Sequence, residues 1–322
     1  MAAFMTAGRS DAAKDTVLLI DPGFPVHKQQ LNIMGIKYEC FDVYQYRGMR
    51  LREKLESYLN AGNISCILYS NPNNPSWICF SEHELKIIGE LADRYDVVIL
   101  EDLAYFGMDF RKDLSKPGKP PYQVTVANYT SNYLVLFSSS KAFSYAGQRT
   151  GLVMVSDKLF NRSYPDLRRF YSSDRFGHAL VFGSLYALSA GTSHSSQYGL
   201  SALLKASSDG EYNFVEQVRE YGRRAAVIKR LFLENGFRIV YDMDEDMPVG
   251  DGFYFTIAYP GFTGGELLEE LLYFGISAIS LEITGSDQKE GLRACVSQIS
   301  QDQFPELEER LRCFHQKCAG KI

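Results

Sequence analysis

The sequence predicts an α/β fold: a mixed, mostly parallel sheet sandwiched by helices, with a smaller α+β domain at the C-terminal end. Three observations predict it. Short, mainly apolar runs alternate with amphipathic stretches through the first half. Polar clusters rich in proline, glycine and asparagine come directly after those runs. The second half then changes character, to longer helical patterns and short strand-like segments. Apolar strands without polar alternation belong to a sheet covered on both faces, as parallel sheets are.

Taken in order, Thr16–Asp21 (TVLLID) reads as a buried strand ending at Pro22-Gly23. Lys37–Val43 is a second short strand, residues 49–60 fit a helix, and Ile64–Ser70 (ISCILYS) fits another buried strand. Ser81 opens a helix, because Ser81 and Glu84 have capping-box spacing, in which hydroxyl and carboxylate each satisfy a free backbone N–H. Leu85, Ile88 and Leu91 recur at helical spacing behind it. Val97–Leu100, Leu134–Phe137 and Leu152–Val155 are the next strands. Helices are expected near 195–206 and over 212–235, the second stopped by Gly236. Strand-like Arg238–Tyr241, Phe253–Tyr259 and Leu292–Ser297 alternate with helices near 265–274 and 304–317. The linker-like Ser207-Ser208-Asp209-Gly210 sets the expected division into a large domain, 1–208, and a small domain, 209–322.

The totals exclude several classes. The chain has 322 residues, 45 % apolar and 23 % charged, which is ordinary for a globular enzyme. Its net charge of −5 carries no nucleic-acid footprint, which would need a clustered basic face. No window holds the roughly 18 apolar residues of a membrane span. The start, MAAFMTAGRSDAAKD, lacks the pattern of a secretory signal. Six cysteines form no CxxC pair and no Cys/His cluster of zinc spacing, so no metal site is expected. A cytoplasmic location is the expectation.

Four polar clusters follow predicted strands, and ligands of such sheets bind at strand C-terminal ends. Ser138-Ser139-Ser140-Lys141 precedes Arg149 by a short small-residue turn. Hydroxyls and a guanidinium suit an anion, and a nearby cation with burial makes an amine nucleophilic. Alone, the segment reads more simply as a solvated lysine. Glu101-Asp102-Leu103-Ala104-Tyr105 puts a carboxylate and a phenol where they could meet a protonated heterocycle and its oxygen; alone, Asp102 equally caps a turn and Tyr105 packs. Asn71-Pro72-Asn73-Asn74-Pro75 offers the Asn74 amide on a rigid loop, or is only a rigid loop. Pro22-Gly23-Phe24-Pro25-Val26-His27 carries an aromatic ring and an imidazole.

In that order, NPxNP, DxAY and SxSK with an arginine eight residues on resemble the class I/II aminotransferases, pyridoxal-phosphate enzymes of fold type I. The resemblance runs from about Thr16 to the C-terminus. It implies that Lys141 forms the Schiff base to pyridoxal 5'-phosphate and shuttles the Cα proton. It implies that Asp102 keeps the pyridine nitrogen protonated, and that Tyr105 and Asn74 hydrogen-bond the cofactor 3′-oxygen. Ser138 and Arg149 match its phosphate ligands. Phe24 matches a ring stacked on the pyridine, and His27 a histidine behind the aspartate. Arg293, in Gly291–Val296, matches the arginine that grips the substrate α-carboxylate, with Asn74 beside it; a charge inside an apolar strand needs a partner, a bound carboxylate or a nearby glutamate. The resemblance also implies a homodimer acting on an amino acid and a 2-oxo acid.

Two departures stand out. Trp77, the sole tryptophan, sits where the family commonly has glycine, where it could narrow the pocket or pack on the loop. Only about fifteen residues precede the first strand, and they contain no glycine loop for the cofactor phosphate. The sequence reads either as truncated, which is the expectation, or as a shortened member with a weakened phosphate site. Transamination is the expected chemistry. A C–S lyase of the same fold, an inactive cofactor-binding fragment and a regulatory module are the other readings. The last lacks a helix-turn-helix before Thr16.

Overall fold

The computed structural model describes Met1–Lys321. The main sheet has six strands: β1 Thr16–Asp21, β2 Lys37–Asp42, β3 Ile64–Ser70, β4 Val98–Leu103, β5 Tyr133–Ser138 and β6 Gly151–Val155. Their spatial order is β2-β1-β3-β4-β5-β6. The first five run parallel, and β6 is antiparallel to β5. Helix α1 Ala2–Thr6 precedes β1, and the crossovers use α2 Pro25–Ile33, α3 Met49–Leu59 and α4 Glu82–Arg94.

The apolar strands follow from two-sided burial. Successive strand residues point to opposite faces. Leu18 and Ile20 pack with Leu51 and Leu55 of α3 and with Leu85 and Ile88 of α4. Val17 and Leu19 face the other way, with Met5 of α1 and Leu31 of α2. Each such buried side chain contributes about 1.5–3 kcal/mol. The capping box forms as expected: Ser81 Oγ accepts from Glu84 N, and Ser81 N donates to the Glu84 carboxylate. Glu84 also accepts from the buried Arg47 guanidinium at two 2.8 Å contacts, which ties α4 to the loop before α3.

After β5 come α5 Ser139–Ala142, α6 Asp157–Asn161, α7 Phe176–His178, a π-helical stretch Ala179–Leu185, α8 Tyr186–Ser189, α9 His194–Ser208 and α10 Phe214–Glu234. Gly236, at φ 82°, follows the cap of α10 in the left-handed region that favours glycine. The strands β7 Arg238–Ile239, β8 Met243–Asp244, β9 Met247–Pro248, β10 Tyr254–Ala258, β11 Ile279–Ser280 and β12 Leu292–Cys295 complete the set with α11 Gly264–Leu272 and α12 Phe304–Cys318. A four-stranded antiparallel sheet has the order β11-β12-β10-β7, and β8 pairs with β9 as a hairpin. Leu292, Phe255 and Ile257 pack on Ile228, Leu267, Leu311 and Phe314 of the covering helices. Arg293 and Cys295, alternating with them, project from the opposite face.

The differences from expectation have physical causes. The α2 helix was read as part of a polar cluster, because only Leu31 of its nine residues is buried and no apolar stripe announces it. The region 157–189 showed no element, since its helices are short and Phe182, Tyr186 and Leu188 are exposed. Strand Arg238–Tyr241 shortens to two residues, while Val240 N and Tyr241 N bond to Thr256 outside the ladder.

Candidate functional site

Asp102 is the penultimate residue of β4, level with Ser70 of β3 and Leu136 of β5. Its Oδ1 accepts from Ala104 N at 3.0 Å, and His27 Nε2 lies 3.9 Å from its Oδ2. Burial pushes the Asp102 carboxyl up to about 6. Burial, with the N-terminal ammonium nearby, pulls His27 down to about 4. Near neutral pH the pair is therefore a carboxylate beside an uncharged imidazole. Phe24 caps α2, is 41 % exposed, and meets His27 edge-on at 5.5 Å.

A second cluster forms where the loop after β3 meets β12 and β10. Asn74 is buried, and its Oδ1 accepts from Arg293 Nη1 at 2.9 Å. The Arg293 guanidinium lies 4.3 Å from the centroid of the Tyr254 ring. Its Nε is buried without a hydrogen-bond partner, and among the described residues no acid forms an ion pair with it. Tyr105 is buried, and its hydroxyl donates to that of Tyr254 at 3.1 Å. Burial, then Tyr254 and Asp102, hold the Tyr105 phenol well above its usual range.

Lys141 lies on α5, which Ser138 caps by accepting from Ser140 N at 3.2 Å. Lys141 Nζ sits 5.2 Å from the Phe253 ring centroid. Burial lowers its ammonium pKa; Cys295 opposes this, while Arg293 and Arg149 add to it. Arg149 is exposed, in the left-handed region at φ 51°, and its Nη1 donates to Ala146 O at 2.8 Å. The nine residues singled out in the sequence thus lie on loops, on strands and in the short helices that follow strands: Phe24 meets His27, His27 lies by Asp102, Arg293 bonds Asn74, and Arg293 and Arg149 act on Lys141. Among the described residues, no side-chain contact joins Ser138 to the other eight.

Three neighbours escaped the sequence reading: Phe253, Tyr254 and Cys295. The only signal was that Cys295 stands two residues from Arg293 on one strand; the cross-strand match of Tyr254 with Cys295 needs the register. Trp77 resolves as packing. It is 1 % exposed, lies behind Tyr105 and Tyr254, and holds φ 65° without being glycine. Arg168 and Arg169 pair with Asp174 and Asp166 on the surface.

The chain is an α/β protein with a mostly parallel sheet covered on both faces, and an amine, a carboxylate and a phenol stand at or just beyond its strand ends, where ligands of such sheets bind. Residues 2–238 match the family model of aminotransferase class I and II, and the chain belongs to that family. It is 26 % identical over 144 residues to tyrosine aminotransferase of Homo sapiens, covering 44 % of this chain and 30 % of that protein. It is 26 % identical over 165 residues to the glutamate-pyruvate aminotransferase AlaC of Escherichia coli, covering 50 % of this chain and 38 % of that one. A solved Thermus thermophilus aspartate aminotransferase double mutant superposes with a TM-score of 0.70 at 16 % identity, over 97 % of this chain and 72 % of the other. The matches span less than two thirds of the length of these curated relatives. Among the described residues no helix is long and apolar enough to cross a membrane.

Proposed function

We propose that this chain is a pyridoxal-phosphate-dependent aminotransferase exchanging an amino group between an amino acid and a 2-oxo acid. The observation that carries it is Arg293. Arg293 is half-buried, and a guanidinium drawn partly out of water with its Nε buried and unpaired is costly unless a ligand pairs with it. Its orphaned Nε and its place beside Lys141 suit an α-carboxylate, which a guanidinium holds bidentately.

The residues also fit the cofactor. Asp102 has one oxygen on a backbone N–H and the other without a close donor, which suits a pyridinium N–H. Tyr105 and Asn74 would hold the ring oxygen, Lys141 the aldehyde carbon, and Phe24 the ring face, with His27 behind Asp102. Ser138 and Arg149 would hold the phosphate, a thinner set, since both spend polar atoms on their own turn. Pyridoxal phosphate, when bound, supplies an electron sink for bonds at the amino-acid Cα.

The chain's own residues do the rest. Arg293 fixes the substrate carboxylate, so that the Cα–H is presented to Lys141. Lys141 Nζ, its basicity lowered by burial and flanking cations, would be the base that takes the Cα proton. Asp102, ionised at neutral pH, would keep a proton on the pyridine nitrogen. The division at residue 208 separates a six-stranded from a four-stranded sheet under this reading. A homodimer is supported by the exposed Phe182, Tyr186, Leu188 and Tyr198 on one stretch of chain. A cytoplasmic location is supported by the buried thiols of Cys66 and Cys79, neither of them in a disulfide.

The test is a panel of amino acids incubated with the cofactor-loaded protein. The matching 2-oxo acid should appear in amounts equal to the cofactor when no amino acceptor is added. No 2-oxo acid from any member of the panel would sink the proposal. Pyruvate and ammonia from cysteine-like substrates would replace it with the C–S lyase.

A further inference from the structure

Tyr254 stands at the junction of both halves of the site. It lies on β10, opposite Cys295 and diagonal to Arg293 on β12. Its ring face carries the Arg293 guanidinium at 4.3 Å. Its hydroxyl meets that of Tyr105 at 3.1 Å, and among the described residues Tyr105 is its hydrogen-bond partner. Both phenols are nearly fully buried, so neither hydroxyl exchanges its partner for bulk water.

We propose that Tyr254 is a positioning residue with two separable tasks: its hydroxyl holds and polarises the Tyr105 hydroxyl, and its ring holds the Arg293 guanidinium for the substrate carboxylate. The proposal rests on the reading of the chain as a pyridoxal-phosphate aminotransferase.

The geometry gives the logic of the first task. A hydroxyl has one proton to donate and lone pairs to accept. In the structure Tyr105 donates to Tyr254. When Tyr105 turns its proton toward a ligand oxygen, its own oxygen is left to accept, and the Tyr254 hydroxyl rotates to donate. A donor that is itself hydrogen-bonded binds more strongly in a water-poor site. The second task is electrostatic: a ring face attracts a cation, most where water is excluded. It also fixes the plane of a guanidinium whose Nη1 is already anchored on Asn74.

Two variants separate the tasks. Tyr254→Phe removes the hydroxyl and keeps the ring; Tyr254→Leu removes both. The first readout is the pH midpoint of the visible band of the Lys141-bound cofactor. The second is the glycine concentration that half-converts that band. Tyr254→Phe should raise the midpoint by roughly 0.2–0.6 pH unit and leave the glycine dependence within about twofold of wild type. It should add little in a Tyr105→Phe background. Tyr254→Leu should raise the half-converting glycine concentration by roughly five- to thirtyfold. A Tyr254→Phe variant that titrates like wild type, or a Tyr254→Leu variant with unchanged glycine dependence, overturns this proposal and leaves the aminotransferase reading standing. A wild-type protein with no Lys141-bound band overturns both.

Discussion

Replacing Asp102 with asparagine should stabilise the cofactor-free protein while crippling the site. Burial raises the Asp102 carboxyl from its ordinary 3.8 to about 6. Between those values the folded chain holds a proton that the unfolded chain has lost. Stability from this group is therefore complete below about pH 4 and is lost as pH rises through about 6. The displacement is about two pH units, and at ~1.36 kcal/mol each it costs up to ~3 kcal/mol at neutral pH. Asparagine keeps the acceptor for Ala104 N and carries no charge, so the variant avoids the loss. His27 runs the other way, since its lowered pKa makes stability rise with pH from about 4 to 6.5. It contributes to both proteins and cancels in the difference. The assay is urea unfolding from pH 4 to 8, followed by the fluorescence of Trp77, the only tryptophan and fully buried. The gap should open from near zero at pH 4 to ~2–3 kcal/mol above pH 7. A variant no more stable than wild type at pH 8, or a gap of constant size, would refute the reasoning. The same substitution should weaken cofactor binding, because the pyridinium loses its counter-charge.

Arg293→Gln should raise the half-saturating amino-acid concentration by roughly a hundredfold or more, the loss of a buried charge pair, while leaving the cofactor spectrum intact; equal loss of both would assign Arg293 a structural role. Glu84→Ala should cost about 3–5 kcal/mol in the same unfolding assay, because it strips a buried partner from Arg47 and removes half of a capping box. Gly252→Ala should destabilise by at least about 1–3 kcal/mol, since a Cβ there would come within 1.8 Å of the Trp77 ring. A wild-type melting temperature for that variant would show the packing around Trp77 to be loose.

How far the sequence could be read depended on how local the cause was. The strands Thr16–Asp21 and Ile64–Ser70 were legible to the residue, because burial on both faces leaves no exposed position in them and so no polar alternation. Ser81 and Glu84 announced their helix because a cap is a contact between near neighbours. The α2 helix gave no such sign, since its one buried residue, Leu31, leaves no period to detect. In the site, Asp102, Tyr105 and Lys141 stood out because each stands at or just beyond the C-terminal end of a strand, where ligands of such sheets bind. Tyr254 did not, because its meaning lies in two contacts, one across a β-ladder and one between sheets. Trp77 was ambiguous for a similar reason: only the partners Tyr105, Tyr254 and Gly252 show that it packs behind the site.

The most direct test of the central claim is the visible spectrum of the purified chain with added pyridoxal phosphate, beside Lys141→Ala, before and after borohydride. The account predicts an absorption band that borohydride abolishes, with the cofactor then fixed to a peptide containing Lys141 and absent from the variant. A folded wild-type protein with no band, or cofactor fixed on another lysine, would contradict it.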